Sequence, residues 1–529
     1  MTTMTLSLSF FNWILALSPV LVVLIMMLGF RAGGAWAGGV GWLAAVLVAV
    51  LFFGAGLELL AVAHVKAILL SLDVFYIIWM ALLLFHVANE AGAIRMIGRV
   101  LPQLTEDRLM QSLLIGWLMV TFIQGTGGFG VPVAVCAPIL VAIGFTPIQA
   151  VAMASLGDTW AVTFGSLGAS FKALIAVSGL TADELARYTA ILLGVVSFPS
   201  GMLVAVIGNG WRSVKRALLP VAVLSAVMAA TQYLLATNGL WALGTTGAGL
   251  VGLGAGLLLL RLPAYRNRYK LHPEPAAAVG NPDEGKSLGL VLIGYLLLIL
   301  LAFGVNLFQP ANAFLSQIKL SLDFPEVRTA FGWTTPAGPG QAINLFGHPG
   351  AILLYTSIIS FIIYRSVGYL EPGSLKRIFN KVAKVGVNSS LGILAMVGLA
   401  TIMLHSGMTH LLAEGLSTSI RRDFYPLVAP IIGALGAFIT GSNTNSNVLF
   451  GALQQRSAEL LTLSVPLILA AQTAGGSVGS VLAPAKVIVG CSTVGMAGEE
   501  SGVMRKIIGY GLIPLAIIAL AAWIIHLLG

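Results

Sequence analysis

Long runs of apolar residues, separated by short polar stretches, dominate the hydrophobicity pattern of the chain. An α-helix needs about 20 apolar residues to cross the hydrocarbon core of a bilayer. Runs of that length lie near residues 11–30, 35–56, 70–89, 188–208, 217–236, 240–260, 288–308, 349–366, 386–407 and 507–529. The pattern predicts an all-α polytopic membrane protein.

Two further apolar regions are long enough to cross but contain clusters of glycine and hydroxyl residues. In 148–178 the interruption is SLGDTWAVTFGSLGAS (155–170), and in 465–497 it is TAGGSVGSVLAPAK (473–486). Glycine clusters and proline interrupt helices. We therefore predict two broken transmembrane helices, which gives about twelve crossings in all.

Two other regions, 105–144 and 424–460, place a polar centre between two short apolar halves. The centres read QGTGGFG (124–130) and TGSNTNSN (440–447). The halves look too short to span the membrane alone. Such a pattern predicts a re-entrant helical hairpin, whose polar tip must be buried in protein or line a cavity.

Composition and charge exclude a soluble enzyme and give an orientation. Hydrophobic residues make up 58% of the chain and charged residues 9%, against about 25% charged in soluble domains. Of the 28 Lys and Arg residues, 19 lie in segments that the crossing pattern puts on one side, which is therefore the cytoplasmic side. This asymmetry accounts for the net charge of +9 without a nucleic-acid partner. The N-terminus lacks the basic region of a signal peptide, so we interpret the first apolar run as a retained helix.

The order of these segments repeats once in the chain. Residues 1–208 and 288–529 each read as three helices, a hairpin, a broken helix and a helix, and 209–287 supplies two connecting helices and a cytoplasmic loop. The first copy starts outside and the second inside, so the repeats are inverted. Inverted repeats with interrupted helices are typical of secondary transporters, whose binding site lies at the membrane midplane between the breaks.

The polar residues at the four interruptions are the candidate substrate ligands. Helix ends carry unpaired N–H groups and a partial positive charge that suit an anion, and glycine allows close approach of the backbone. The candidates are Gln124, Gly125, Thr126, Gly127, Gly128, Thr159, Ser442, Asn443, Thr444, Asn445, Gln472, Thr473, Gly475 and Lys486. Small and polar residues also pack transmembrane helices closely, which is the alternative interpretation.

Proton coupling requires a titratable group near this site. Asp158 is the carboxylate within the first interruption, and a carboxylate at the bilayer centre is costly and commonly functional. An ion pair with Lys172 or Lys486 is the structural alternative for Asp158. Lys486 could face the substrate carboxylate, or extend toward the membrane surface. Glu90, at the end of the third helix, is the second proton-coupling candidate. No cysteine or histidine spacing predicts a metal site, and we expect no cofactor.

Four stretches of this sequence resemble the L-lactate permease family. They are GFGVPVAV (128–135), TWAVTFGSLG (159–168), TGSNTNSNVLFGALQ (440–454) and AAQTAGGSVGSVLAPAKVIVGCSTVG (470–495), with GEES (498–501) after the last. The tip Ser442-Asn443-Thr444 also looks like that of sodium-coupled dicarboxylate carriers in the same ion-transporter superfamily. The family pattern has Asp where this chain has Asn443, Asn where it has Asp158, and Gln-Ser where it has Ala485-Lys486.

The resemblance implies a proton-coupled symporter of L-lactate and related 2-hydroxy monocarboxylates, such as D-lactate and glycolate. It also implies elevator-like movement of a transport domain in a bacterial inner membrane. A sodium-coupled carboxylate or dicarboxylate transporter is the alternative. An intramembrane enzyme would need a nucleophile–base set, and none is visible in the sequence, while a channel fits inverted broken helices poorly. The expected partners are the monocarboxylate, protons and the lipid bilayer, with a homodimer as one assembly.

Overall fold

The structure is a computed structural model, and it describes residues 6–30, 32–128, 130–266, 286–340, 342–496 and 500–528. Its first half is helical. The α-helices are α1 Phe10–Leu28, α2 Gly34–Phe52, α3 Leu57–Glu90, α4 Ala93–Gln103, α5 Arg108–Leu113, α6 Val120–Thr126, α7 Val131–Ala142, α8 Pro147–Leu156, α9 Gly165–Ser178, α10 Ala182–Asn209, α11 Val214–Thr237, α12 Gly244–Leu259 and α13 Pro263–Arg266. A π-helical segment, Leu114–Met119, joins α5 to α6. Short 3-10 helices, Trp211–Ser213 and Trp241–Leu243, precede α11 and α12.

The second half adds a small β-ribbon to the helices. Its α-helices are α14 Leu288–Val291, α15 Ile293–Leu307, α16 Gln309–Leu315, α17 Pro349–Ser366, α18 Ser374–His405, α19 Met408–Ser419, α20 Tyr425–Thr440, α21 Asn443–Leu460, α22 Val465–Leu482, α23 Pro484–Thr493 and α24 Glu500–Leu528. A 3-10 helix, Arg422–Phe424, precedes α20. The strands are β1 Lys319–Leu320, β2 Asp323–Phe324, β3 Val327–Arg328, β4 Thr334–Thr335, β5 Gly338–Pro339 and β6 Ile343–Asn344.

The prediction of a polytopic helical membrane protein is confirmed. Twelve helical segments in the described part of the chain are long and apolar enough to span a membrane. The set differs in detail from the predicted one. The first arms of the two hairpins, Arg108–Thr126 and 422–440, are 19 residues each and qualify as spans, so the expectation that every arm is too short was wrong. The predicted span 288–308 is divided between α14 and α15.

Both predicted hairpins form around their polar centres. The first consists of α5–α6 and α7, with the described residues Gly127, Gly128 and Gly130 between them. The second consists of α20 and α21, with a turn at Gly441–Ser442. Gly441 adopts φ +70°, a left-handed conformation that reverses the chain at little cost for glycine. Each tip is thus the end of one helix and the start of another.

Both predicted broken helices are confirmed, and the second one breaks at Ala483, near the end of the predicted interruption 473–486. Helices α8 and α9 are separated by the turn 157–164. Helix α22, however, runs unbroken through the glycines of 473–482 and ends only at Ala483, which is extended. Proline lacks an N–H and disfavours helical geometry at the preceding residue, so the break lies at Pro484 and not at the glycines.

The glycines of α22 instead allow close packing against α20. A Cβ added to Gly475 would lie 1.9 Å from the carbonyl oxygen of Pro430, and one added to Gly479 would lie 2.0 Å from that of Ala434. In the same way, a Cβ added to Gly433 on α20 would lie 1.9 Å from the carbonyl oxygen of Gln472. The clustering of glycine therefore reflects contact between two backbones, as is common between membrane helices.

The β-ribbon was not predicted. Its strands pair in antiparallel fashion, β1 with β6, β2 with β5, and β3 with β4. The backbone N–H of Ala330 at its tip donates to the carbonyl of Gly54 (2.8 Å), and Trp333 stacks on His410. The ribbon therefore lies across the ends of α2–α3 and α19.

The helices form two packed groups. In one, α18 packs along α2 and α3, and α17 packs along α3; in the other, α20, α21 and α22 pack together with α10 and α24. Helix α9 contacts both α3 and α21, and α18 contacts α21. The boundary between the groups therefore runs along α9 and α21.

Ion pairs collect the predicted cytoplasmic segments at one end of the molecule. Arg216 pairs with Asp107, and Arg377 pairs with Glu90 (2.6 Å). The Nζ of Lys286 donates to the carbonyl of Ala91 (3.0 Å). The orientation itself and the repeat boundaries 1–208, 209–287 and 288–529 remain predictions; most of the predicted loop, residues 267–285, lies outside the described residues.

Candidate functional site

The tip of the second hairpin is hydrogen-bonded to the first broken helix. The side-chain nitrogen of Asn443 donates to the hydroxyl of Thr163 (3.1 Å) and to the backbone carbonyl of Thr473 (3.2 Å). Thr163 lies in the turn between α8 and α9 and also donates to that carbonyl (3.1 Å). Three predicted interruptions thus meet here: the tip, the first break and the glycine-rich part of α22.

The next turn of α21 bonds to the second half of the broken helix. The side-chain nitrogen of Asn447 donates to the carbonyl of Ser170 (2.9 Å) and to the hydroxyl of Thr473 (2.8 Å). The hydroxyls of Ser170 and Thr444 lie 3.0 Å apart. All of these side chains are buried. The sequence analysis did not single out Asn447 and Ser170 as ligands, although both lie within the predicted interruptions.

Three amide oxygens at this tip have no hydrogen-bond partner. They are Oδ1 of Asn443, Asn445 and Asn447. The amides of Asn443 and Asn447 cannot be reversed without loss, because their nitrogens donate to carbonyl oxygens, which only accept. A buried acceptor without a donor is costly. The tip therefore presents at least two oriented oxygen atoms that a ligand hydroxyl or a cation would satisfy.

Room for one of these oxygens is provided by a glycine. A Cβ added to Gly476 would lie 2.1 Å from Oδ1 of Asn443. Ser442 is the N-cap of α21, and its hydroxyl accepts from the N–H of Asn445 (3.3 Å). The helix N-terminus begins at the same place and adds its partial positive charge.

Gln472 belongs to a fully bonded network behind the tip. Its side-chain nitrogen donates to the hydroxyl of Ser446 (3.1 Å), and its oxygen accepts from Gln454 (3.0 Å). Tyr425 donates in turn to Gln454 (2.9 Å). Gln472 and Gly475, both predicted ligands, therefore hold α20, α21 and α22 together.

The tip of the first hairpin packs on the same break from its other side. A Cβ on Gly165 would lie 2.6 Å from the side-chain nitrogen of Gln124, and one on Gly128 would lie 1.7 Å from the hydroxyl oxygen of Ser166. The side-chain oxygen of Gln124 has no hydrogen-bond partner. Gln124 and Gly128, both predicted ligands, therefore lie against the break between α8 and α9.

The remaining candidates of the first tip make other contacts. Gly125 packs against the backbone of Thr246 on α12, and Gly127 packs against the ring of Phe85 on α3. The hydroxyl of Thr126 donates within its own helix, to the carbonyl of Ile123 (3.2 Å). These three residues position the tip through packing.

The backbone between the two tips is strained. Ser166 and Leu167 have φ of +50° and +54°, a left-handed conformation that is rare for residues with a side chain. Such strain of about 1–3 kcal/mol per residue persists at functional sites, where the surroundings enforce it. Gly168 continues the left-handed stretch at φ +80°.

Asp158 lies in the same turn and is fully buried. Its Oδ1 has no hydrogen-bond partner, and no ion pair reaches its carboxylate from the described residues. Lys486 is the cation that interacts with it electrostatically, and the Nζ of Lys486 donates to the hydroxyl of Ser480 (3.1 Å). The next residue, Thr159, accepts a hydrogen bond from Ser477 at its carbonyl (2.6 Å). The structure thus brings Asp158 and Lys486 toward each other across the breaks.

Glu90 lies elsewhere. It pairs with Arg377 (2.6 Å) and Lys381 (3.3 Å) at the end of the molecule that carries the basic loops. These two pairings tie α3 to α18. The structure therefore separates Glu90 from the hairpin tips, in contrast to Asp158.

A buried charge cluster escaped the sequence analysis. Asp73 on α3 has no exposed surface; its carboxylate pairs with Lys172 on α9 (2.8 Å) and accepts from Nε2 of His348 (2.9 Å). The N–H of Gly350 donates to Nδ1 of His348 (3.1 Å), so the imidazole is the neutral tautomer with its proton on Nε2. The sequence signal was a single carboxylate inside the apolar run 70–89. Lys172 therefore pairs with Asp73 and not with Asp158.

Comparison with known proteins places the chain in a family. The model of the L-lactate permease family matches residues 12–529. The chain belongs to the L-lactate permease family. It is 27% identical to the L-lactate permease of Bacillus subtilis, over 98% of this chain and 94% of that protein. It is 26% identical to the glycolate permease GlcA of Escherichia coli, over 96% of this chain and 94% of that protein.

Among solved structures, the chain is similar to the YdaH transporter of Alcanivorax borkumensis. The TM-score is 0.44 and the identity 15%, over 85% of this chain and 84% of the transporter. This permease-family protein is thus a multi-pass membrane protein with a small-molecule substrate.

Proposed function

We propose that this protein is a proton-coupled symporter of L-lactate and related 2-hydroxy monocarboxylates, including D-lactate and glycolate, in a bacterial inner membrane. The observation that carries the proposal is the pair of oriented amide oxygens on Asn443 and Asn447, inside a chain that matches the permease family along almost its whole length. The names of the two relatives above support lactate and glycolate as substrates.

The geometry suits a small hydroxy acid. The hydroxyl of lactate or glycolate donates to a free amide oxygen, and its carboxylate accepts from the N-terminus of α21 and from hydroxyls of the break. No arginine lies in the tips or the two predicted interruptions. A single negative charge is therefore balanced by helix dipoles and one distant cation, Lys486, whereas a dicarboxylate would need a second cation.

Asp158 is the proposed proton carrier. It is a buried carboxylate without an ion-pair partner among the described residues, and its turn also carries Thr163, which bonds to Asn443. Because a charged carboxylate is costly at this depth, loading a proton and loading the substrate favour each other.

Elevator-like movement is the proposed transport mode. Close backbone packing between α20 and α22 supports it, since this packing makes the hairpin and α22 one rigid unit. The group of α2, α3, α17 and α18 would then be the scaffold. A homodimer built on that scaffold is the assembly that we propose.

Uptake of labelled lactate into proteoliposomes tests the coupling. We expect accumulation when an inward proton gradient is imposed, with no added effect of a sodium gradient. Accumulation driven by a sodium gradient alone would instead support a sodium-coupled carboxylate transporter. The unpartnered amide oxygens are also consistent with this alternative, because hard cations prefer oxygen ligands. No uptake of lactate or glycolate under either gradient would refute the proposed function.

A further inference from the structure

A polar cavity lies beside the candidate site, on the boundary between the two helix groups. Its volume is about 470 Å³, and α3, α9, α18 and α21 form its walls, with Pro339 and Gly340 of the β-ribbon at one edge. Its polar lining includes Lys66, His405 and Arg456. The cavity opens at the end of the molecule opposite the basic loops.

The cavity carries one uncompensated positive charge. Arg456 is balanced by Glu459 (2.8 Å) and donates to Nδ1 of His410 (3.0 Å). Lys66 has no acidic partner among the described residues, and the ring of Phe324 is 5.8 Å from its Nζ. Nδ1 of His405 donates to the carbonyl of Thr401 (2.8 Å). A half-buried, unpaired lysine in a concave cavity attracts small anions, because the low-dielectric walls focus its field.

The cavity lies next to the hairpin tip along the helix α21. Val448 lines it and directly follows Asn447, one helical turn beyond Thr444. Ala176 on α9 also lines the cavity, and it lies less than two turns after Ser170. The helices α9 and α21 thus each contribute to the cavity wall, and the turns just before the lining residues are hydrogen-bonded to each other at the candidate site.

We infer that this cavity is an entry vestibule in which Lys66 binds the carboxylate of the incoming monocarboxylate before it reaches the hairpin tip. The assignment of the ligand as the transported acid rests on the proposed function. The positive charge of the vestibule does not, so the two can be tested separately.

Electrostatic labelling tests the vestibule without transport. A cysteine introduced as Ala452→Cys lies in the lining, whereas the native Cys136 and Cys491 are buried. In detergent, an anionic thiosulfonate reagent should modify this cysteine faster than a cationic reagent of similar size. Adding Lys66→Gln should lower the ratio of the two rates roughly threefold or more, because one charge at close range is removed.

The matched control is Lys319→Gln, which removes a cation from the exposed strand β1 outside the cavity. It should leave the rate ratio unchanged. L-lactate should slow the anionic labelling when Lys66 is present and have little effect after Lys66→Gln. An unchanged rate ratio after Lys66→Gln would overturn the inference.

Transport kinetics then decide whether the vestibule is on the substrate path. Lys66→Gln should raise the KM for lactate about threefold to tenfold with little change in kcat, and added salt should reduce the difference. An unchanged KM would overturn the inference even if labelling responds. If the unaltered protein transports no lactate, the proposed function fails, while the labelling ratio still reports the charge of the cavity.

Discussion

Replacement of Asn443 by alanine tests whether the tip reads the substrate hydroxyl. The free Oδ1 can accept one hydrogen bond from lactate, and such a bond contributes about 0.5–1.5 kcal/mol net. A loss of about 1.4 kcal/mol is a tenfold loss of affinity. We therefore expect Asn443→Ala to weaken lactate binding about threefold to tenfold. Propionate lacks the hydroxyl, so its affinity should change much less.

The same substitution also lowers the stability of the protein, and this effect must be separated from the effect on binding. The amide nitrogen loses its contacts with the hydroxyl of Thr163 (3.1 Å) and with the carbonyl (3.2 Å) and hydroxyl (3.3 Å) of Thr473. The carbonyl keeps its bond from the Thr163 hydroxyl, so we expect a loss of stability of about 1–2 kcal/mol. Thermal unfolding in detergent measures this loss.

Equilibrium binding of labelled lactate, with propionate as competitor, is the assay. Asn238→Ala, at the exposed end of α11, is the matched control and should leave both affinities unchanged. An equal loss of affinity for lactate and propionate would refute a hydrogen bond between the lactate hydroxyl and Asn443. Unchanged binding of both acids by a folded variant would refute the site itself.

Three further predictions follow from the charged groups. Asp158→Asn should abolish lactate accumulation driven by a proton gradient but retain exchange of internal for external lactate, whereas Glu90→Gln should keep both; normal accumulation by Asp158→Asn would make Asp158 structural. Lys172→Met should lower stability by about 3–5 kcal/mol, because it leaves the buried carboxylate of Asp73 without its ion-pair partner. Adding Asp73→Asn should restore part of the loss in thermal unfolding, and no recovery would contradict the ion-pair explanation. Succinate should fail to compete with lactate for uptake, and strong competition would favour the dicarboxylate alternative.

Local chemistry made the hairpin tips and the first break predictable from the sequence. A run such as GSNTNSN cannot face lipid, so its burial against another interruption follows from hydrogen bonding alone. The second break lies within the predicted interruption 473–486, but the sequence did not show which of its residues interrupts the helix, because glycine serves two purposes. In α22 it allows contact with the backbone of α20, and only the following proline interrupts the helix.

Long-range pairings could not be predicted in the same way. Asp73 and His348 are 275 positions apart, and their contact depends on how α3 and α17 pack. The sequence shows a costly carboxylate in an apolar run, but several lysines are equally plausible partners for it. The β-ribbon escaped prediction because its strands are two residues each, too short to show an alternating pattern.

The pairing of Asn443 with a carbonyl also bears on the departure from the family pattern. Asparagine donates to the carbonyl of Thr473, as only a protonated aspartic acid could at that position. This chain therefore holds permanently the arrangement that an aspartate would adopt only with a proton bound. Under the proposed function, Asp158 is then the carboxylate that would exchange a proton.

The tight seam between α20 and α22 sets where the molecule can bend. The backbones of α20 and α22 are in direct contact at Gly433, Gly475 and Gly479. We therefore expect the two helices to move together as one rigid body. Deformation must then concentrate at the softer joints, the left-handed turn at 166–168 and the extended residue Ala483. Both joints border the candidate site. Under the proposed transport mode, a rearrangement at the site would therefore move α20 and α22 together as one body.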